Sequence, residues 1–185
     1  MLDADASVEL VRVRWYEGLP EEEASRIGPE GAMRLIEMLG DPAERRSHAN
    51  ILLALGLSGQ PGAFDAICEW ADRPRSGEID RDTFRAWQAL PFALGDLAPH
   101  DRRAVGRLAR LLDADAPDWR FRHHRGARLA NQARWAAARA LASTGLPEAR
   151  AALENAGRNR SDPAFLEHLE AMRVWAAARA GDGGQ

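Results

Sequence analysis

Apolar residues recur along most of the chain at the spacing of a helix face. Phe64, Ile67, Cys68 and Ala71 stand at i, i+3, i+4 and i+7, and Val105, Leu108, Ala109 and Leu112 repeat the pattern, so each segment carries one apolar stripe. Glycine and proline punctuate the stripes. Gly56 and Gly59 precede Pro61, Gly95 precedes Pro99, and Gly145 precedes Pro147, which reads as the end of one helix and the first turn of the next. Asp41-Pro42 and Asp162-Pro163 each place a capping carboxylate before a proline and mark two more helix starts. The predicted helices span 29–40, 42–57, 61–72, 80–97, 99–113, 126–144, 147–157 and 162–180, and Pro91 is expected to kink the fourth. In the first 28 residues Val11, Val13 and Trp15 alternate with Arg12 and Arg14 in a strand-like way. An isolated strand would have no partner, so the preferred reading is a helix over 4–17 and a short second one over 20–26.

The helices repeat in pairs. Trp135-Ala136-Ala137-Ala138-Arg139-Ala140 recurs unchanged as Trp175-Ala176-Ala177-Ala178-Arg179-Ala180, a shift of 40 residues, and Ala54-Leu55-Gly56 recurs as Ala93-Leu94-Gly95, a shift of 39. Aligning Leu94 with Leu141 needs a shift of 47, so one repeat carries an insertion. A period of about 40 residues is the signature of stacked helix pairs, in which each unit covers the apolar face that its neighbour cannot bury alone. Small alanines such as Ala136, Ala137 and Ala140 let helix axes approach closely.

Helix pairs of this length, with Asp41-Pro42-Ala43-Glu44-Arg45-Arg46 leading into an Ala- and Leu-rich helix that ends in Ala54-Leu55-Gly56, resemble the HEAT-like repeats of bacterial alpha-solenoids. The similarity covers residues 29–180. It implies an all-α fold, an alpha-alpha superhelix of about four stacked HEAT-like helix pairs. The expected organisation is an N-terminal helical cap over 1–28, the solenoid over 29–180 and a flexible tail over 181–185. For function the resemblance implies little: such proteins are mostly scaffolds and adaptors, with a minority of lyase-associated chaperones and DNA glycosylases.

Composition narrows the picture modestly. With 45% hydrophobic and 29% charged residues the chain is expected to fold, and its one cysteine, Cys68, excludes an intramolecular disulfide. No secretory signal and no uninterrupted apolar stretch of membrane-spanning length is apparent, so a cytoplasmic location without membrane contact is expected. All 25 basic residues are arginine, which fits the codon bias of a GC-rich genome. Net charge is only −3 but unevenly spread. Residues 1–101 hold 10 Arg against 19 acids, residues 102–139 hold 10 Arg against Asp113, Asp115 and Asp118, and residues 140–185 hold 5 Arg against 6 acids, giving −9, +7 and −1.

The insertion lies in the arginine-rich part. Trp119, Arg120, Phe121, Arg122, His123, His124, Arg125 and Arg128 interleave cations with aromatics, a pattern that suits clamping an anionic group and stacking on a planar one. The alternative is that Trp119 and Phe121 anchor the loop while the arginines are solvated or paired with Asp113, Asp115 and Asp118. Metal binding at His123 and His124 is not expected, because adjacent histidines seldom point the same way and His48, His100 and His168 fall in other repeats. Of the six tryptophans, most are assigned to packing, with Trp175 in the last repeat the one expected to be exposed.

No phosphate-binding glycine loop, nucleophile elbow, paired metal-ligand motif or dinucleotide fingerprint is present, so neither an enzyme nor a cofactor is expected. The favoured reading is a non-catalytic interaction module or scaffold that binds a protein or peptide with an acidic surface on its concave face. Self-association into a homo-oligomer, through the oppositely charged segments, ranks next. Nucleic-acid binding is the alternative of a different class; the net charge of −3 argues against a glycosylase-like, broadly basic face.

Overall fold

A computed structural model describes residues 1–16, 18–158 and 162–182. Ten α-helices and one 3-10 helix form among them: α1 (Ala4–Arg12), α2 (Glu21–Ser25), α3 (Pro29–Gly40), the 3-10 helix (Pro42–Ser47), α4 (His48–Ser58), α5 (Ala63–Ala71), α6 (Arg81–Leu97), α7 (Arg103–Leu112), α8 (Ala127–Ser143), α9 (Pro147–Asn155) and α10 (Pro163–Asp182). The chain is mostly helical and its helices pack in sequence order. Each of the pairs α3/α4, α5/α6, α7/α8 and α9/α10 is in contact, and α4, α6, α8 and α10 pack one on the next. Within 1–28, where a helical cap was expected, α1 packs against α3 and α2 against α4. Helix α10 runs on to Asp182, two residues into the stretch expected as a tail, and residues 183–185 lie outside the described residues.

Local chemistry sets the helix ends. Asp3, Asp41, Asp80 and Asp162 accept hydrogen bonds from backbone N–H groups of the following turn, at 2.9 Å from Ala6, 2.8 Å from Ala43, 2.8 Å from Thr83 and 3.1 Å from Ala164. Some ends differ from the expected ones. Asp41-Pro42 opens a 3-10 turn, and the α-helix begins only at His48. Pro99 does not open α7; Asp101 does, accepting from the Arg103 N–H at 3.0 Å. Helix α1 stops at Arg12 rather than at residue 17, because Asn50 Nδ2 donates to the carbonyls of Val11 (2.9 Å) and Val13 (3.1 Å) and turns the chain away. Pro91 lies within a continuous α6 and leaves the Trp87 carbonyl without its usual helical donor.

Gly56 and Gly95, read from the sequence as helix ends, are inside α4 and α6. They mark where neighbouring helices touch. A methyl group on Gly56 would stand 2.9 Å from the Cα of Ala93, and one on Gly95 would stand 3.2 Å from the Cβ of Ala140. Ala93 and Ala140 are 47 residues apart, the repeat shift at that point, so the same crossing is used twice. The actual helix C-terminus after α4 is Gly59, in the left-handed region at φ +59°.

The main core runs through all the pairs, from Val11 and Leu35 through Leu55, Ile67, Leu94 and Leu108 to Leu141 and Leu169. A second, small core of Phe84, Trp119 and Leu129 lies beside it. It is joined to the only strand pairing among the described residues outside isolated bridges: β1 (Gly77–Glu78) and β2 (Trp119–Arg120), parallel, with Gly77 opposite Trp119 and Glu78 opposite Arg120. An all-helical reading had no place for this pair. It exists because the loop before α6 and the insertion before α8 run side by side and satisfy each other's backbone groups, Ile79 N–H donating to the Arg120 carbonyl at 2.9 Å.

Candidate functional site

The inserted segment folds as an anchored hairpin. Trp119 is only 7% exposed and meets Trp87 of α6 edge to face, ring centres 5.0 Å apart, while the Phe121 ring stacks on Phe84 at 4.3 Å. These partners lie more than thirty residues upstream. Phe121 and His124 then exchange backbone hydrogen bonds, Phe121 N–H to His124 O at 3.0 Å and His124 N–H to Phe121 O at 2.9 Å, which closes a tight turn with Arg122 and His123 at its tip.

The cations of the segment divide into two groups. Arg120 is paired with Glu78 of β1 at 3.2 Å rather than with the neighbouring aspartates. Arg122, Arg125 and Arg128 are exposed and form no ion pair among the described residues; Arg122 leans over the Phe121 ring at 5.3 Å. His123 and His124 have ring centres 4.4 Å apart, and His124 Nδ1 lies 3.4 Å from Gln132 Nε2. Desolvation, with the nearby charges of Arg128 and His123, holds the His124 pKa below the usual histidine value. A cationic cluster therefore surrounds the turn and reaches α8.

Beyond that cluster opens a groove of about 790 Å³ between α6, α8 and the start of α10. Its apolar walls come from Trp87, Leu90 and Pro91 on one side and Ala133, Trp135 and Ala136 on the other, and Arg128 and Gln132 stand at the end nearest the turn. Phe92 and Trp135, each 39% exposed, present large apolar surface there. The Trp135 ring is held by stacking on His168 of α10, 4.4 Å away and 12° from parallel. Gln132 Oε1 is buried and has no hydrogen-bond partner among the described residues.

Of the eight residues singled out from the sequence, Arg122, His123, His124, Arg125 and Arg128 sit in or beside one basic cluster, and only Arg128 lines the groove. Trp119 faces inward and Phe121 is half-buried, so neither offers a free ring face. The groove residues Trp87, Phe92, Asn131, Gln132 and Trp135 were not singled out, although Asn131 and Trp135 stand at i and i+4 on one helix face. Trp135 and Trp175 also exchange their expected roles. Trp175 is half-buried against the main core, and Trp135, assigned to packing, opens onto the groove.

A second cavity, about 480 Å³, is lined by Arg45, His48, Trp70, Arg73 and Asp80 and is organised for structure. Trp70 Nε1–H donates to His48 Nδ1 at 3.1 Å, so the imidazole carries its proton on Nε2 and donates it to the Asp41 carbonyl at 3.1 Å. Arg75 closes this unit, its guanidinium 4.4 Å from the Trp70 ring centre and donating to the carbonyls of Trp70, Ala71 and Arg73 at the end of α5.

Among the described residues no cluster of three His, Cys, Asp or Glu side chains has metal-binding geometry, and no helix is long and apolar enough to cross a membrane. No family model, curated protein or solved structure matches this chain.

Proposed function

We propose that this chain is a non-catalytic interaction module of the HEAT-like kind, which holds a short acidic segment of a protein partner in the α6/α8 groove. The repeat reading is supported by the 39- and 47-residue shifts and by the two matching glycine crossings. One observation carries the binding reading: an open apolar groove with two exposed aromatic rings is lined at the end nearest the turn by Arg128, which forms no ion pair among the described residues, with the Asp162 carboxylate at the start of α10. Such a surface complements a segment with apolar anchors on one face and carboxylates at one end. Apolar contact supplies the affinity, and the charges supply orientation and rate. Nucleic acid is the weaker reading, since the rings of Trp119 and Phe121 already stack within the fold.

The test uses a synthetic 15-residue helical peptide with Leu and Phe at i, i+4 and i+7, Glu at the end beyond the last anchor and Ala and Gln elsewhere, beside a copy with Lys for Glu. Calorimetry at low salt is expected to give a Kd on the order of 10–100 µM for the acidic peptide, weakening as salt rises, and no measurable binding of the basic one. Trp135→Ala and Arg128→Glu should each reduce the affinity. Equal binding of both peptides, or none by either up to millimolar concentration, refutes the proposal.

A further inference from the structure

The turn from Phe121 to His124 holds the one non-glycine residue that takes a positive φ among those described, Arg122 at φ +53°. At such a turn position glycine carries no steric penalty, whereas the Cβ of arginine does. Inside the molecule Arg122 gains little for it. Its guanidinium makes no hydrogen bond or ion pair among the described residues and leans over the Phe121 ring at 5.3 Å. The turn beneath it is nevertheless rigid, fixed by the Phe84–Phe121 stack, the Trp87–Trp119 contact and the β1/β2 pairing.

Resting on the groove reading above, we infer that Arg122 is the specificity-determining residue of the site: the strained turn presents its guanidinium to a carboxylate of the bound segment. The turn adjoins the groove through His124 and Gln132, 3.4 Å apart, and Gln132 lines it. A guanidinium offers a planar pair of donors that matches a carboxylate, and a preorganised turn lowers the entropy lost when that contact forms. The ligand class is thus a peptide with an Asp or Glu placed just outside its apolar anchors.

The experiment measures peptide affinity, its salt dependence and thermal stability in the full chain carrying Arg122→Gly or Arg122→Lys, with Trp135→Ala as a groove control. Arg122→Gly is expected to weaken the acidic peptide about 10-fold and flatten its salt dependence, with a thermal midpoint within about 2 °C of wild type. Arg122→Lys, which keeps the charge and loses the planar fork, should fall between. A copy of the peptide with Gln for its terminal Glu should bind wild type and Arg122→Gly equally. If Arg122→Gly binds as wild type does while Trp135→Ala does not bind, the inference fails and the groove reading stands. If the wild-type chain binds no peptide, both fail. A fall in thermal midpoint of more than about 5 °C in Arg122→Gly assigns the residue to the fold and overturns the inference as well.

Discussion

Replacing Gly56 by alanine isolates the close crossing of α4 and α6. Within α4 alone the change is favourable, since alanine is better than glycine in a helix interior by about 1 kcal/mol. The tertiary cost is larger. The new methyl would stand 2.9 Å from the Cα and 3.0 Å from the carbonyl carbon of Ala93, and nearer still to its oxygen. All three are backbone atoms, so no rotamer change relieves the overlap; α4 and α6 must separate along a fully buried contact. Overpacking of this kind costs about 1–3 kcal/mol, and the loosened side-chain contacts around Ile51, Leu55 and Leu94 add to it. The net expectation is a destabilisation of about 2 kcal/mol, read as a drop of about 4–8 °C in thermal midpoint and about 1 M in urea midpoint. Gly95→Ala is the internal control. Its methyl would meet the Cβ of Ala140 at 3.2 Å and the Ala140 carbonyl oxygen at 3.3 Å, which a shift of a few tenths of an ångström relieves, so the helix gain should cancel the cost to within about 1 kcal/mol. Equal effects at the two glycines, or a stabilised Gly56→Ala, would refute the crossing argument.

Two further outcomes concern pH. Burial holds the His48 pKa below its ordinary 6.5, and protonating Nδ1 would break the bond from Trp70, so the stability it contributes is whole above pH 6.5 and is lost as pH falls through the lower folded value. Thermal melts between about pH 8 and about pH 5 should show this loss, and His48→Gln, which keeps an acceptor for Trp70 and a donor for Asp41, should reduce the slope; an unchanged slope counts against it. Asp96 behaves in the opposite sense, because burial, helped by the charge of Glu21, pushes its carboxyl up from 3.8 to about 6. The folded chain then binds that proton more tightly than the unfolded one, so stability falls as pH rises through this window, and Asp96→Asn should add about 1 kcal/mol at neutral pH after allowance for partial solvent screening. Urea titrations should show that gain vanish below pH 3.8, and a gain of the same size at both pH values would contradict it.

Helices were legible where one residue both starts them and leaves a chemical mark. Pro29, Asp80 and Pro147 begin α3, α6 and α9 within one residue of expectation, because capping and proline geometry act locally. Boundaries governed by a distant partner were not legible: α1 ends early because Asn50 of α4 takes the Val11 and Val13 carbonyls. The same limit hid the groove. Its walls belong to helices some forty residues apart, and the sequence pattern that marks Trp135 as a repeat of Trp175 says nothing about what stands beside each. Helix α8 has a neighbour on both sides, α6 and α10, so Ala137 and Ala138 are buried, whereas Ala177 and Ala178 on the last helix are exposed. The same Ala-Ala pair thus has different surroundings because one helix lies between two neighbours and the other is the last among the described residues. The insertion was visible as extra length and as interleaved charge and aromatics, but its packing on Phe84 and Trp87 was not.

The uneven charge along the chain takes on a narrower meaning in three dimensions. The arginine-rich segment folds back onto the acid-rich one: Arg103 reaches Asp65 at 3.0 Å, Arg107 pairs with Asp72, and Arg120 meets Glu78 at 3.2 Å. The Arg103–Asp65 and Arg120–Glu78 pairs are largely exposed, so solvent screens them and they do little to hold the fold, while the Arg107 side chain is mostly buried. Their larger effect is electrostatic bookkeeping over the surface, since they neutralise the cations that face the first half of the chain. Arg122, Arg125 and Arg128 are left without an ion pair among the described residues, and Arg128 carries that charge into the lining of the apolar groove. A polyanion would favour a long basic track, with many phosphate contacts and a steep salt dependence. A compact cluster beside apolar walls instead matches a ligand that carries one or two carboxylates next to hydrophobic side chains, which is why a short acidic segment of a protein fits this surface better than a nucleic acid does.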